Sequence, residues 1–167
     1  KIDVIFLCDN TGSMSPVINR VKQSANYILD VLAGYDKRFK GRDFAYGVAN
    51  YNGDPAEGLS AQEAYRLQQN ITKDENLVYD ALHNWSAHDG GDGPEGNFFA
   101  LHQIATNGAP IQQKTSEKFV GGIATKMHWR EGAKRIVLWF GDMPSHPIDA
   151  QDPLRTDSLL QTIRPVK

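Results

Sequence analysis

The chain has 167 residues, of which 23% are charged, and its formal net charge is −2. This length is typical of one globular domain that can bury its own core, and the charge leaves no basic surface of the kind that binds nucleic acid. No apolar run in the sequence reaches the length needed to cross a bilayer. We therefore expect no nucleic-acid partner and no membrane insertion by this segment.

The sequence predicts alternating strands and helices in the first half of the chain. Residues 1–9 form an apolar strand that runs into a polar turn. Ser15 and Pro16 suit a helix start, with serine at the cap and proline in the first turn, and Gly34 is expected to end that helix. Residues 44–51 predict a second strand, and the partial alternation over 65–72 predicts an edge strand.

The second half continues the same alternation. Asp74 can cap a helix that extends to Trp85, and a further helix opens at Glu95. Residues 135–141 are continuously apolar, which is typical of a parallel strand buried on both faces. A short helix is expected over 157–163. The order of elements predicts an α/β fold with a doubly wound, mostly parallel sheet flanked by helices.

The loop after the first strand reads Asp-Asn-Thr-Gly-Ser and carries the strongest chemical signal. Asp9, Thr11 and Ser13 offer one carboxylate and two hydroxyls at alternate positions. Oxygen ligands of this kind suit a hard divalent cation. Taken alone, the pentapeptide fits a polar turn followed by a helix cap equally well.

Two further acidic positions favour the metal interpretation. Glu95 closes the glycine-rich stretch 90–96 and opens a helical pattern, and Asp142 follows the apolar strand 135–141. In an open α/β sheet, sites form beyond the carboxyl ends of the strands. We therefore expect Asp9, Glu95 and Asp142 to meet at one edge of the sheet.

In these motifs the sequence resembles a von Willebrand factor type A (vWA) domain with a metal-ion-dependent adhesion site. The Asp-x-Thr-x-Ser run that begins at Asp9 resembles the family's Asp-x-Ser-x-Ser, with threonine keeping a hydroxyl. Residues 92–96 resemble the corresponding loop of the vWA-like domains in integrin β subunits, and residues 141–146 resemble the family's last metal loop. The amino-acid sequence of residues 129–135 is similar to that of secreted bacterial members of the family.

The resemblance implies a non-enzymatic adhesion or protein-binding module. The resemblance implies a single bound Mg²⁺, with Ca²⁺ or Mn²⁺ as alternatives. One coordination position of this cation would stay open and would accept a Glu or Asp carboxylate of a protein partner. It also implies an extracellular or cell-surface location, with a bacterial source. The implied metal ligands are Asp9, Thr11, Ser13, Glu95 and Asp142.

Three departures from the family pattern limit what the resemblance implies. Many domains of this family use a threonine as the ligand from the second metal loop. No threonine lies between Ser86 and Glu95, so Glu95 is assigned as the ligand from that loop. Residues 14–17 lack the paired aspartates of a neighbouring calcium site, which should therefore be absent. Gly90 stands where a third integrin site has asparagine, so no second metal is assigned at Asp92.

The strand count predicts that residues 1–167 are a single vWA domain that lacks its C-terminal strands. An intact domain of this family has six strands, whereas four are predicted here, and residues 165–167 come where a fifth would begin. The last predicted strand would then have an unpaired edge, which proteins avoid. We expect a C-terminally truncated segment of a longer chain.

Two other functions stay open at this level. A metal-dependent phosphohydrolase also places carboxylates at strand ends, but a haloacid-dehalogenase-like enzyme would need an acidic residue where this chain has Thr11. Without that group there is no general acid–base beside a nucleophilic Asp9. The second alternative is an intracellular scaffold domain in which the metal site is structural.

Overall fold

The fold was described from a computed structural model, which places residues 1–38, 43–53, 61–88, 90, 95–107 and 126–144. This part of the chain is α/β. Its strands are β1 (Ile2–Asp9), β2 (Phe44–Tyr51), β3 (Tyr65–Thr72) and β4 (Lys134–Phe140). Its helices are α1 (Ile18–Arg38), α2 (Ala61–Ala64), α3 (Glu75–His83) and α4 (Asn97–Thr106), and Gly12–Met14 form a 3-10 turn.

The four strands form one mostly parallel sheet in the order β3-β2-β1-β4. β1 pairs in parallel with both β2 and β4, whereas β3 joins β2 in the antiparallel direction. Ile5, Phe6 and Leu7 of β1 are fully buried, as expected of a central parallel strand covered on both faces. The carboxyl ends of β1, β2 and β4 therefore share one edge.

Helices cover both faces of the sheet and so create two apolar layers. The first layer joins alternate β1 residues such as Phe6 to Leu29 of α1 and Leu82 of α3. The second joins the other β1 residues, such as Leu7, to Phe99 of α4. The two layers follow from side chains alternating across a strand. None of the helices in the described ranges has the length and apolar character needed to cross a bilayer.

Most predicted elements are confirmed, and the differences have physical causes. The bounds of β2 and β3 are as predicted, and Asp74 caps α3 by accepting a hydrogen bond from the N–H of Asn76 at 3.0 Å. The prediction that Gly34 ends α1 is wrong, because the helix continues to Arg38. The short helix α2 was not predicted, since four residues carry too little periodicity to recognise.

The prediction that the last apolar strand is buried on both faces is also wrong. β4 is parallel to β1 as expected, but Ile136 is 41% exposed and Trp139 is 46% exposed. β4 stands last in the sheet order of the described residues. The expected truncation and the helix predicted over 157–163 concern residues outside the described ranges. Asp92 also lies outside them.

A partly buried ion pair closes the opposite edge of the sheet, at the amino ends of the strands. Asp3 of β1 is fully buried, and the Nε of Arg130 donates to its Oδ1 at 2.6 Å while the backbone N–H of Arg130 donates to its Oδ2 at 2.8 Å. The same guanidinium contacts Asp43, just before β2. Arg130 thereby joins the starts of β1 and β2 to the segment that leads into β4.

Candidate metal centre

The first loop of the candidate site is organised by Asp9 at the end of β1. Asp9 and Thr11 are both buried. The backbone N–H of Thr11 donates to Asp9 Oδ1 at 2.9 Å, and the Thr11 hydroxyl donates to the same oxygen at 2.7 Å. An aspartate that accepts from the residue two positions later stabilises a tight turn. The turn directs the next side chains of the loop toward the sheet edge.

Ser13 connects this loop to the one that follows β4. The Ser13 Oγ lies 3.0 Å from the Thr11 Oγ1 and donates to Asp142 Oδ1 at 3.1 Å. The loops after β1 and β4 therefore meet, as the shared carboxyl edge of parallel strands predicts. Four predicted site residues form one continuous chain of contacts across the edge.

This chain of oxygens is short of protons. Each hydroxyl carries one donor hydrogen. The Thr11 hydroxyl uses its hydrogen on Asp9, and the Ser13 hydroxyl uses its hydrogen on Asp142. The 3.0 Å approach between the two hydroxyl oxygens then has no hydrogen of its own. The cluster therefore has an excess of lone pairs, which is the electronic character of a cation site.

Burial falls along the chain of contacts from the sheet to the surface. Asp9 and Thr11 are buried, whereas Ser13 and Asp142 are exposed. The second carboxylate oxygen of Asp9, Oδ2, is buried and has no hydrogen-bond partner in the described part of the chain. A cation at this edge would thus be held from below by buried oxygens and would be open to solvent on the outer side.

The electrostatics of Asp9 reflect this environment. Burial raises the pKa of Asp9 above its ordinary value of 3.8, and the negative charge of Asp142 raises it further. The two hydrogen bonds from Thr11 act in the opposite direction, with a smaller contribution from the nearby Tyr51 hydroxyl. A divalent cation beside Asp9 would favour its ionised form and so offset the effect of burial.

Glu95 reaches the same edge through its backbone. It is buried, and its N–H donates to the carbonyl of Pro144 at 3.0 Å. The next N–H, that of Gly96, donates to the carbonyl of Asn52 at 3.1 Å, just past the end of β2. The start of α4 is thereby fixed to the loops after β2 and β4. The described contacts place the Glu95 backbone beside the Asp142 loop.

The close approach at Gly96 gives a prediction for stability. A Cβ at this position would lie 2.2 Å from the carbonyl oxygen of Gly53 and 2.7 Å from that of Asn52. Both atoms are backbone, so the chain itself would have to move. We expect Gly96→Ala to lower the free energy of unfolding by about 1–3 kcal/mol, measured by urea denaturation.

Gly34 in α1 supplies the matched control for that glycine substitution. A Cβ there would meet no atom within 4 Å, and alanine is the better helix former. Gly34→Ala should therefore raise the free energy of unfolding by about 0.5–1 kcal/mol. Equal effects of the two substitutions would contradict the packing assigned to Gly96.

Sequence reasoning missed two aromatic residues beside Asp9. Tyr51, the last residue of β2, is fully buried, and its hydroxyl accepts a hydrogen bond at 2.8 Å from the indole N–H of Trp139 in β4. Burial and the charge of Asp9 both raise the pKa of Tyr51 above its ordinary value of 10.0. Only the register of neighbouring strands brings these residues to Asp9, and an isolated sequence carries no record of that register.

A second polar network supports the first loop from the side. His88 donates its backbone N–H to the carbonyl of Asn10 at 2.8 Å, and its own carbonyl accepts from the side chain of Asn52 at 3.2 Å. The N–H of Asn10 in turn donates to the carbonyl of Tyr51 at 3.0 Å. The loops after β1, β2 and α3 are thus joined around the candidate site by two main-chain hydrogen bonds and one from the Asn52 side chain.

The donor set fits a hard cation only if the hydroxyls take part. In the described ranges, no three His, Cys, Asp or Glu side chains are grouped closely enough to hold a metal ion by themselves. Asp9 and Asp142 supply two carboxylates, and Thr11 and Ser13 connect them. Carboxylate and hydroxyl oxygens are ligands that Mg²⁺ and Ca²⁺ accept.

Two solved structures are distantly similar to this chain. No protein-family model and no curated protein matches the sequence. One solved structure, three N-terminal domains of the type V pili tip protein Mfa5 from Porphyromonas gingivalis, is 15% identical over 63% of this chain, with a TM-score of 0.45. The chain spans 17% of that structure's length. The conserved hypothetical protein BatB from Bacteroides thetaiotaomicron is 15% identical over 84% of this chain and 92% of its own, with a TM-score of 0.40.

These scores are too low for either likeness to carry an argument about fold or function. The described fold is α/β with a four-stranded, mostly parallel sheet. The chemistry of its carboxyl edge has to be judged from the residues that form it. Those residues are the oxygen cluster at Asp9 and the loops that hold it.

Proposed function

We propose that this chain is a vWA-type module that binds an acidic group of a partner protein through a divalent cation. Mg²⁺ is the first choice because its small size suits a site built from few protein oxygens and completed by water. The open side of the site would accept the partner's Glu or Asp carboxylate. The proposed metal ligands are Asp9, Thr11, Ser13, Glu95 and Asp142.

The observation that carries the proposal is the proton shortage between Asp9 and Asp142. Four oxygens lie in sequence at 2.7, 3.0 and 3.1 Å, and two hydroxyl hydrogens have to serve all three contacts. The buried Oδ2 of Asp9, which makes no hydrogen bond of standard geometry in the described part of the chain, adds a further acceptor to this cluster. Unpaired buried acceptors are costly, and a cation satisfies several of them at once.

The mixture of ligands supports a binding role rather than a closed structural site. Hydroxyl oxygens are neutral, so a cation held by two carboxylates and two hydroxyls keeps attraction for another anion. Glu95 would add negative charge if it coordinated directly, and would weaken that attraction less if a water molecule stood between. Ser13 and Asp142 are exposed, which leaves the outer side accessible to a partner.

The alternative of a phosphohydrolase has less support from the site. The Thr11 hydroxyl donates to Asp9 Oδ1, so the position where such an enzyme needs an acid–base carboxylate is occupied by a hydrogen-bonded threonine. A phosphatase assay with Mg²⁺ present separates the two classes, and turnover abolished by Asp9→Asn would favour the enzyme. An extracellular or surface location, suggested by the family resemblance, remains part of the proposal.

Titration of the protein with Mg²⁺ and then with acidic peptides tests the proposed function. Isothermal calorimetry should show one bound Mg²⁺ per chain. An array of short peptides, each Asp or Glu matched by a copy with the corresponding amide, should then give signals in Mg²⁺ or Mn²⁺ that disappear in EDTA. The amide copies should also lose binding, since the neutral group gives up a charge-assisted contact to the cation. Full binding in EDTA would overturn the mechanism.

A further inference from the structure

Tyr51 is placed beside Asp9 by the register of two parallel strands. The two residues are direct partners in the β1–β2 pairing and stand at the ends of their strands. Paired residues of neighbouring strands have side chains on the same face of the sheet. Tyr51 is fully buried, so its hydroxyl is held in a fixed environment next to the metal edge.

Trp139 of β4 and Gly141, which follows that strand, fix the position of that hydroxyl. The indole N–H of Trp139 donates to the Tyr51 oxygen at 2.8 Å. At Gly141, an added Cβ would lie 2.4 Å from the Tyr51 hydroxyl and 3.5 Å from the Asp9 Cβ. The phenol oxygen and the Asp9 side chain therefore converge on a single point, which is free only because residue 141 has no side chain.

Counting donors shows where the Tyr51 proton has to go. An indole nitrogen can only donate, so the Tyr51 oxygen is the acceptor in its contact with Trp139 and keeps its own hydrogen for another partner. Asp9 Oδ1 already accepts two hydrogen bonds from Thr11. Asp9 Oδ2 is buried and makes no hydrogen bond of standard geometry among the described residues, and the Tyr51 hydroxyl is close enough to lower the pKa of Asp9 as a hydrogen-bond donor. Oδ2 is therefore the neighbouring acceptor for that hydrogen.

We propose that Tyr51 is a positioning residue for Asp9, with its hydroxyl oriented by the indole of Trp139 and its proton directed at the Asp9 carboxylate. The role of this contact in metal binding rests on the function proposed above, whereas the contact itself does not. The chain from Trp139 through Tyr51 to Asp9 also links a half-exposed indole to the site. The indole N–H of Trp139 should therefore report changes at Asp9.

The first test needs no metal and uses the indole N–H resonances of the three tryptophans. Trp139→Phe identifies the resonance of Trp139 in nitrogen-15 NMR spectra. Asp9→Asn should shift that resonance in metal-free protein, and the shift should disappear when the same change is made in Tyr51→Phe protein. The double substitution separates a hydrogen-bonded chain from a simple field effect, because a field effect would persist without the Tyr51 hydroxyl. Persistence of the shift would overturn the proposal.

The second test measures Mg²⁺ affinity by calorimetry. Tyr51→Phe should weaken binding by about 10-fold to 100-fold, the usual cost of losing a group that orients a metal ligand. Tyr65→Phe is the matched control, since Tyr65 is a buried tyrosine paired with Tyr51 in β3 and should leave the affinity unchanged. Equal effects of the two changes would overturn the positioning role. If the unmodified protein binds no Mg²⁺, the proposed function fails, and the metal-free NMR test alone decides on Tyr51.

Discussion

Replacing Arg130 with alanine is expected to lower the free energy of unfolding by about 3–5 kcal/mol, because it leaves a buried carboxylate without its cation. Asp3 is fully buried in the central strand. The Arg130 Nε donates to Asp3 Oδ1 at 2.6 Å, and among the contacts of the described residues the backbone N–H at Asp3 Oδ2 is the one that would survive the substitution. Urea denaturation monitored by circular dichroism gives the change directly.

The remaining contacts of Arg130 explain why lysine should not replace it. Its two terminal nitrogens donate to Asp43 Oδ1 at 2.7 Å, to the Asp43 carbonyl at 2.8 Å and to the Ile2 carbonyl at 3.0 Å. A planar guanidinium can serve all of these acceptors together, whereas an ammonium group acts as a point charge. Arg130→Lys should therefore recover only part of the lost stability.

Arg135 in β4 offers a matched control for the arginine substitution. It is exposed, and its guanidinium lies 5.2 Å from the ring centre of Trp129. Removing it deletes a side chain of the same size but leaves no buried charge behind, so Arg135→Ala should cost no more than about 0.5–1 kcal/mol. If both alanine variants lost the same stability, the Asp3 ion pair would not be a major support of the fold.

The elements recognised from sequence were those with a strong local signal. β1 and β2 are mostly apolar and end at polar turns, and their ends were placed within one residue. Gly34 was misread because a helix tolerates glycine when its flanks favour helix, and nothing packs against that position. The exposure of Trp139 was missed, since an apolar run reports a strand's composition and not its place in the sheet.

The candidate site was partly predictable for the same reason. Asp9 and Asp142 follow strands, and the rule that parallel strands end at one edge is enough to bring them together. Ser13 and Asp142 lie 129 residues apart in the sequence, and the hydrogen bond between them agrees with that rule. The position of Tyr51 beside Asp9 could not be predicted, since it depends on the register of β1 and β2. The space for the Tyr51 hydroxyl also depends on glycine at position 141, which has no Cβ to fill it. Metal binding itself stays a prediction.

Replacing Asp9 with asparagine is expected to weaken Mg²⁺ binding by at least about 100-fold, more than the loss of an orienting group costs, while the metal-free protein stays folded. Asparagine keeps an oxygen that can accept the Thr11 N–H, which donates to Asp9 Oδ1 at 2.9 Å. It removes a carboxylate whose pKa is raised by burial, and this gain offsets the loss of the acceptor that faces the Tyr51 hydroxyl. The metal-free variant should therefore be about as stable as the original protein.

Thermal unfolding with and without Mg²⁺ separates the loss of metal from the loss of fold. A Mg²⁺ concentration 100 times the dissociation constant should stabilise the original protein by about 2.7 kcal/mol and should stabilise Asp9→Asn by no more than about 0.4 kcal/mol. Asp74→Asn is the control, because Asp74 is an exposed helix cap and asparagine caps equally well. An Asp9→Asn protein that kept its Mg²⁺ affinity would show that the cation binds at a site without Asp9. One that unfolded without metal would make Asp9 a structural residue of the first loop, because its contacts with Thr11 would then matter more than its charge.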